Sequence, residues 1–95
     1  VGKYGMACLP EAIEMSSALS KAGIVSDVII FYTDQRSHAI CVYMYPPGAN
    51  KIWGWDSTYG STVLRAWWND PESEAKSWLF KNGGTYEIFR WAEKP

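Results

Sequence analysis

Long apolar runs are missing from this 95-residue chain, and so is any excess of positive charge. No segment approaches the roughly 18 consecutive apolar residues that a membrane-spanning helix needs, so no membrane span is expected. Nine Lys and Arg stand against ten Asp and Glu, for a formal charge of −1, and neither sign gathers in one stretch. Nucleic-acid binding normally leaves a cationic patch or stripe, and its absence argues against a nucleic-acid partner. Histidine occurs once, at His38, and cysteine twice, at Cys8 and Cys41. Two thiols are too few for a disulfide framework, although one bridge stays open. With a single histidine they fall short of a four-ligand zinc set, and neither metal nor cofactor is expected. The redox compartment stays open, with a cytoplasmic setting as the default. Gly83 and Gly84 lack the flanking residues of a phosphate loop and read as a helix stop. Glu11, Glu14, Glu72 and Glu74 read as solvated helix faces, which leaves no carboxylate pair for acid/base hydrolysis.

What the chain does hold is aromatic area. It is 47% hydrophobic and 16% aromatic, with six Trp and six Tyr, which is too apolar for a disordered segment. The length suits one domain with one modest core, taken as residues 1–95. Because the first residue is Val1, the expectation is a domain excised or processed from a larger protein, with further domains of that parent as neighbours.

Apolar residues at Leu9, Ala12, Met15, Leu19 and Ala22 recur at helical spacing and predict a helix over 9–22, with Ile13 beside the stripe. Pro10 fits the first turn and Gly23 the C-cap. Strands are expected at 27–33, 38–45 and 51–56, the last two joined through the turn residues PPGAN, and a fourth in TVLRAWW. Asp70 and Pro71 announce a second helix through ESEAKSWLFK, and TYEIFRW reads as a last strand. The order helix, strands, helix, strand implies an α+β fold, a mainly antiparallel sheet packed against the first helix.

Cysteine chemistry needs a thiolate, a base and a group that orients the base. Cys8 opens the first helix, where the dipole and the free N–H groups favour a thiolate and can hold an oxyanion. His38 starts a strand and Asp56 ends the next, so pairing through PPGAN brings the two side chains together. Each residue has a plainer reading: a buried small hydrophobe, an ordinary histidine and a turn aspartate. Cys41 points away from His38 by the period of two and reads as packing.

GMAC at 5–8, KAGIVSD at 21–27, HAICVYMY at 38–45 and WGWDST at 53–58 together resemble the transglutaminase-like core of the papain-like cysteine protease superfamily. The resemblance covers about residues 5 to 60. It implies a small papain-like core whose catalytic triad is Cys8, His38 and Asp56, acting as a thiol hydrolase (a cysteine peptidase or amidase) on a peptide or protein substrate. It equally admits transglutaminase-type acyl transfer, or a non-catalytic papain-like domain used for binding or assembly. Such enzymes often draw an oxyanion donor from upstream of the cysteine. Only seven residues precede Cys8, and among them Tyr4 is the candidate substitute.

Trp53 and Trp55 share a strand face, either as core or, with Tyr4, as part of a substrate cleft. Trp67 and Trp68 are adjacent, so a strand would send one outward, exposed or covered by a partner. Trp78 belongs with Ala75 and Leu79 on the apolar side of the second helix, and Trp91 anchors the last strand. A small α+β protein with a structural thiol remains the third reading.

Overall fold

The computed structural model describes residues 8–32, 37–83 and 88–91. The amphipathic stripe of the first segment forms α1 (Cys8–Lys21), and the second helical pattern forms α2 (Pro71–Asn82). Between and after them lie β1 (Ser26–Tyr32), β2 (Ser37–Met44), β3 (Ile52–Asp56), β4 (Gly60–Leu64) and β5 (Ile88–Trp91). All five strands join one sheet in the order β4-β3-β2-β1-β5, and every neighbouring pair is antiparallel. The α+β architecture with an antiparallel sheet is therefore as the residue pattern implies. Tyr4, Gly84 and the expected start of the last strand lie outside the described residues, as does the side chain of Trp91.

α1 ends where Gly23 reaches φ +80°, a conformation open to glycine at little cost. Ile24 N–H donates to Leu19 O at 2.9 Å and Gly23 N–H to Ser20 O at 3.0 Å, the paired bonds of a Schellman stop. The chain then turns directly into β1, tied back to the helix by Ser16 Oγ and Ser26 Oγ at 2.6 Å. α1 thus lies on the sheet with its C-terminal half over the start of β1 and its N-terminus over the opposite end.

The two faces of the sheet are filled differently. Alternation puts Ile29, Phe31, Ile40, Val42, Ile52 and Leu64 on the α2 side, where they pack with Ala75, Trp78 and Leu79. On the α1 side the fully buried residues are Ala12, Ala39 and Cys41, bordered by Cys8, Leu9, Met15, Leu19, Val28, Ile30 and Trp55. Small residues at the centre of that contact let the helix backbone approach the sheet closely. Ile13 sits off the stripe and is 47% exposed.

Two expectations fail in the region after β3, and they share one cause. The fourth strand was expected to run through the Trp pair, yet β4 stops at Leu64. Beyond it, alternate backbone N–H groups turn to side chains of α2. Arg65 donates to Ser77 Oγ at 2.8 Å, Trp67 to Ser73 Oγ at 3.0 Å and Asn69 to Glu74 Oε2 at 3.3 Å. These acceptors take the place of a neighbouring strand, so the ladder ends. The same bonds explain why Glu74 is fully buried, where a solvated face was expected. Its carboxylate is an internal acceptor for the chain leading into α2. Asp70 occupies the N-cap, but its side chain makes no cap bond. Ser73 Oγ instead donates to Asp70 O at 3.3 Å. Trp67 is 78% exposed, while Trp68 packs at the border of the α2-side core.

Candidate active site

The hairpin register fixes the relation of the candidate base and its partner. Met44 faces Ile52 and Cys41 faces Trp55, so Asp56 at the end of β3 lies diagonal to His38 at the start of β2, on the same face. Their side chains meet: His38 Nε2 and Asp56 Oδ2 are 3.1 Å apart. Asp56 is buried, and its other oxygen accepts the Tyr59 N–H at 2.7 Å, closing the turn into β4. Asp56 is thus both a turn residue and the holder of the imidazole. The His38 side chain keeps 22% of its surface exposed. With Nε2–H donating to the carboxylate, Nδ1 carries the ring's free lone pair.

Trp78 of α2 backs the pair. Its ring lies 5.2 Å from the His38 ring at 33°, with Phe31 edge-on to the same imidazole at 6.0 Å. Tyr59 meets Trp78 at 6.0 Å. The indole Nε1 of Trp78 is buried with no hydrogen-bond partner among the described residues. Gly54, two residues before Asp56 on the same face of β3, leaves room for this indole: a Cβ there would stand 3.0 Å from Trp78 Cδ1.

Cys8 occupies the first position of α1 and is half-buried as a free thiol. It borders the Ala12–Ala39–Cys41 cluster, on the α1 side of the sheet. His38 alternates with Ala39 and projects to the α2 side, so Cβ atoms of thiol and base start from different faces. Among the described residues no hydrogen bond joins Cys8 to His38 or Asp56. The two groups nonetheless occupy one end of the sheet. Ser57, which follows Asp56, donates to Glu11 Oε1 in the first turn of α1 at 2.5 Å. His38 is the second residue of β2, so the rim between the two faces is one residue away.

Cys41 is fully buried in the α1-side cluster. Burial pushes its thiol up to about 12; the Asp27 charge adds to this, and a hydrogen bond with Ser26 opposes it. It is a packing residue, as its parity implies. Trp53 and Trp55 share the α1 side and are half-buried. Trp55 borders the same cluster as Cys8. Trp53 stacks on Tyr43 at 6.2 Å and 8°, and its Nε1 donates to Tyr45 O at 3.0 Å.

The roles of Glu11, Ser57 and Trp78 around the pair are not readable along the chain. They arise from contacts between segments far apart in sequence, and each residue type is ordinary at its own position. Among the described residues no helix is long and apolar enough to cross a membrane, and no group of three His, Cys, Asp or Glu is placed to hold a metal ion. No family model matches the chain, and no curated protein and no solved structure matches it either.

Proposed function

We propose that this chain is the core of a papain-like thiol hydrolase, a cysteine peptidase or amidase, in which Cys8 is the nucleophile, His38 the base and Asp56 its orienting carboxylate. The observation that carries this reading is the His38–Asp56 pair, its imidazole partly exposed and its carboxylate buried, at the end of the sheet where α1 begins with a free thiol. A strand-end histidine with its Nε2 held by a buried carboxylate has its Nδ1 left for a proton donor approaching over the rim. The thiol at the first position of α1 starts from the other face at the same end of the sheet, and the reading requires it to reach Nδ1 across that rim.

The chemistry runs as acyl transfer. Nδ1 takes the thiol proton, and the sulfur bonds to the amide carbonyl carbon. The free N–H groups at the start of α1 hold the resulting oxyanion. The imidazolium gives its proton to the amine nitrogen as the C–N bond breaks, leaving a thioester. Water, deprotonated by His38, attacks the thioester and releases the acid and the thiol. A primary amine in place of water gives transglutaminase-type transfer by the same steps. Trp55, which borders the Cys8 cluster on the thiol's side of the sheet, supplies a flat amphipathic surface suited to a peptide, while Trp53, stacked on Tyr43, lies further along toward the Ser26 end.

Iodoacetamide labelling at neutral pH tests the reading. Cys8 is expected to react about tenfold or more faster than free cysteine, with His38→Ala removing most of the gain. A rate equal to that of free cysteine and indifferent to His38→Ala would refute it. The second reading, a non-catalytic module for binding or assembly, is favoured by Trp67 at 78% and Phe80 at 90% exposure. It requires an inert Cys8 together with a partner footprint on Trp67.

A further inference from the structure

We infer that Glu11 and Ser57 are a positioning pair, a clamp that sets where the Cys8 thiol stands relative to the His38–Asp56 pair. The inference rests on the thiol-enzyme reading above and extends it to two residues that touch no reacting atom. α1 meets the sheet through a patch whose fully buried centre is only Ala12, Ala39 and Cys41, with larger side chains such as Leu9, Met15 and Trp55 half-buried around it, so the centre itself resists sliding or tilting weakly. Polar bonds at its two halves add to that packing, the one at the first turn being on the exposed edge of the contact. Ser16 and Ser26 tie the C-terminal half at 2.6 Å, and Glu11 and Ser57 tie the first turn at 2.5 Å.

The second tie links the two parts of the site directly. Glu11 lies three residues after Cys8, on the same side of the helix. Ser57 is covalently next to Asp56. Asp56 has both oxygens engaged, one at His38 Nε2 and one at Tyr59 N–H, so it holds the imidazole and the turn but not the helix. Ser57 makes that connection. A movement of α1 that shifted the thiol from the rim would have to break the Ser57 O–H to Glu11 bond, and Ser57 cannot follow without dragging Asp56.

The test is the iodoacetamide rate of Cys8 in the full chain carrying Glu11→Ala, Ser57→Ala, both, or Glu11→Gln, each with and without His38→Ala, and with thermal unfolding recorded alongside. Gln keeps an oxygen that can accept from Ser57. Each alanine variant is expected to lower the His38-dependent rate about three- to tenfold, the scale of one hydrogen bond. The double variant is expected to lose no more than either single, and Glu11→Gln to keep most of the rate. Losses that multiply in the double variant, or a rate unchanged in both alanine variants, overturn the clamp. Should an alanine variant fail to fold, Glu11→Gln and Ser57→Thr carry the comparison: retained rates support the clamp, and a fall equal to the alanine loss expected above overturns it. A His38-dependent rate that ignores Glu11 and Ser57 overturns the clamp alone. A wild-type rate that ignores His38 overturns the thiol-enzyme reading and the clamp with it.

Discussion

The two faces of the sheet differ in what they bury and in what they leave adjustable. On the α2 side, Phe31, Ile29, Ile40, Val42 and Trp78 make a core of large side chains, and the His38–Asp56 pair is set into its margin. On the α1 side, two alanines and a cysteine are the buried centre, and the helix is held by half-buried residues and polar ties. Stability and the candidate base therefore share one face, while the candidate nucleophile rides on the other. Large apolar area fixes a group in place because any movement opens a cavity. Small-residue packing permits a close approach but resists displacement less. The contrast implies that the imidazole is rigid by construction and that the thiol's position depends on local hydrogen bonds.

The largest effect is expected from Trp78→Ala. The indole touches Phe31 at 5.6 Å and His38 at 5.2 Å and is almost fully buried. Its removal should cost about 3–5 kcal/mol in urea unfolding. The matched cut on the other face, Leu19→Ala, removes a half-buried side chain and should cost clearly less. Equal losses would break the asymmetry between the faces.

Gly54→Ala comes next. The new Cβ would meet Trp78 Cδ1 at 3.0 Å and Leu64 Cδ1 at 3.1 Å, tight contacts that need both side chains to give way. Overpacking of this kind should cost about 1–3 kcal/mol. In a Trp78→Ala background the nearest contact is gone and Leu64 has vacated space to shift into, so much of that penalty should vanish. A penalty that persists there would place the strain at the Leu64 contact and detach it from the indole.

Much of the fold was legible because alternation and helical spacing follow directly from what must be buried. The stripe from Leu9 to Ala22 gave α1, with Gly23 as its stop, and the strand expected at 38–45 is β2, shifted by one residue, with Cys41 buried. The PPGAN turn sets the register that brings His38 to Asp56, and two strand-end residues with a tight turn between them suffice to imply that meeting. What was not legible depended on partners distant in sequence. Glu74 looks like any glutamate in a first helical turn, and only the chain from Arg65 to Asn69 folding along α2 makes it an internal acceptor. That same path ends β4 at Leu64, although TVLRAWW has the composition of a longer strand. For Cys8, the pattern located the helix start but carried no information on which side of the sheet α1 lies relative to His38.

The smallest effect concerns the two thiols, which lie on one face but differ in burial. Cys41 is sealed under α1, and burial pushes its thiol from 9.0 up to about 12. Folding thus holds the Cys41 proton more tightly than the unfolded chain does. Stability tied to this group is complete below the ordinary thiol range and is lost as pH rises from 9.0 toward 12. Urea unfolding from about pH 8 to about pH 10 should therefore cost wild type about 1 kcal/mol more than Cys41→Ala. The comparison uses the slope, since the alanine variant also starts from a different stability. Parallel slopes would mean that water reaches Cys41 beneath the helix. The α1 face would then be loose at its centre as well as at its margin, and the hydrogen bonds at Ser26 and Ser57 would be left as the principal restraint on where Cys8 stands.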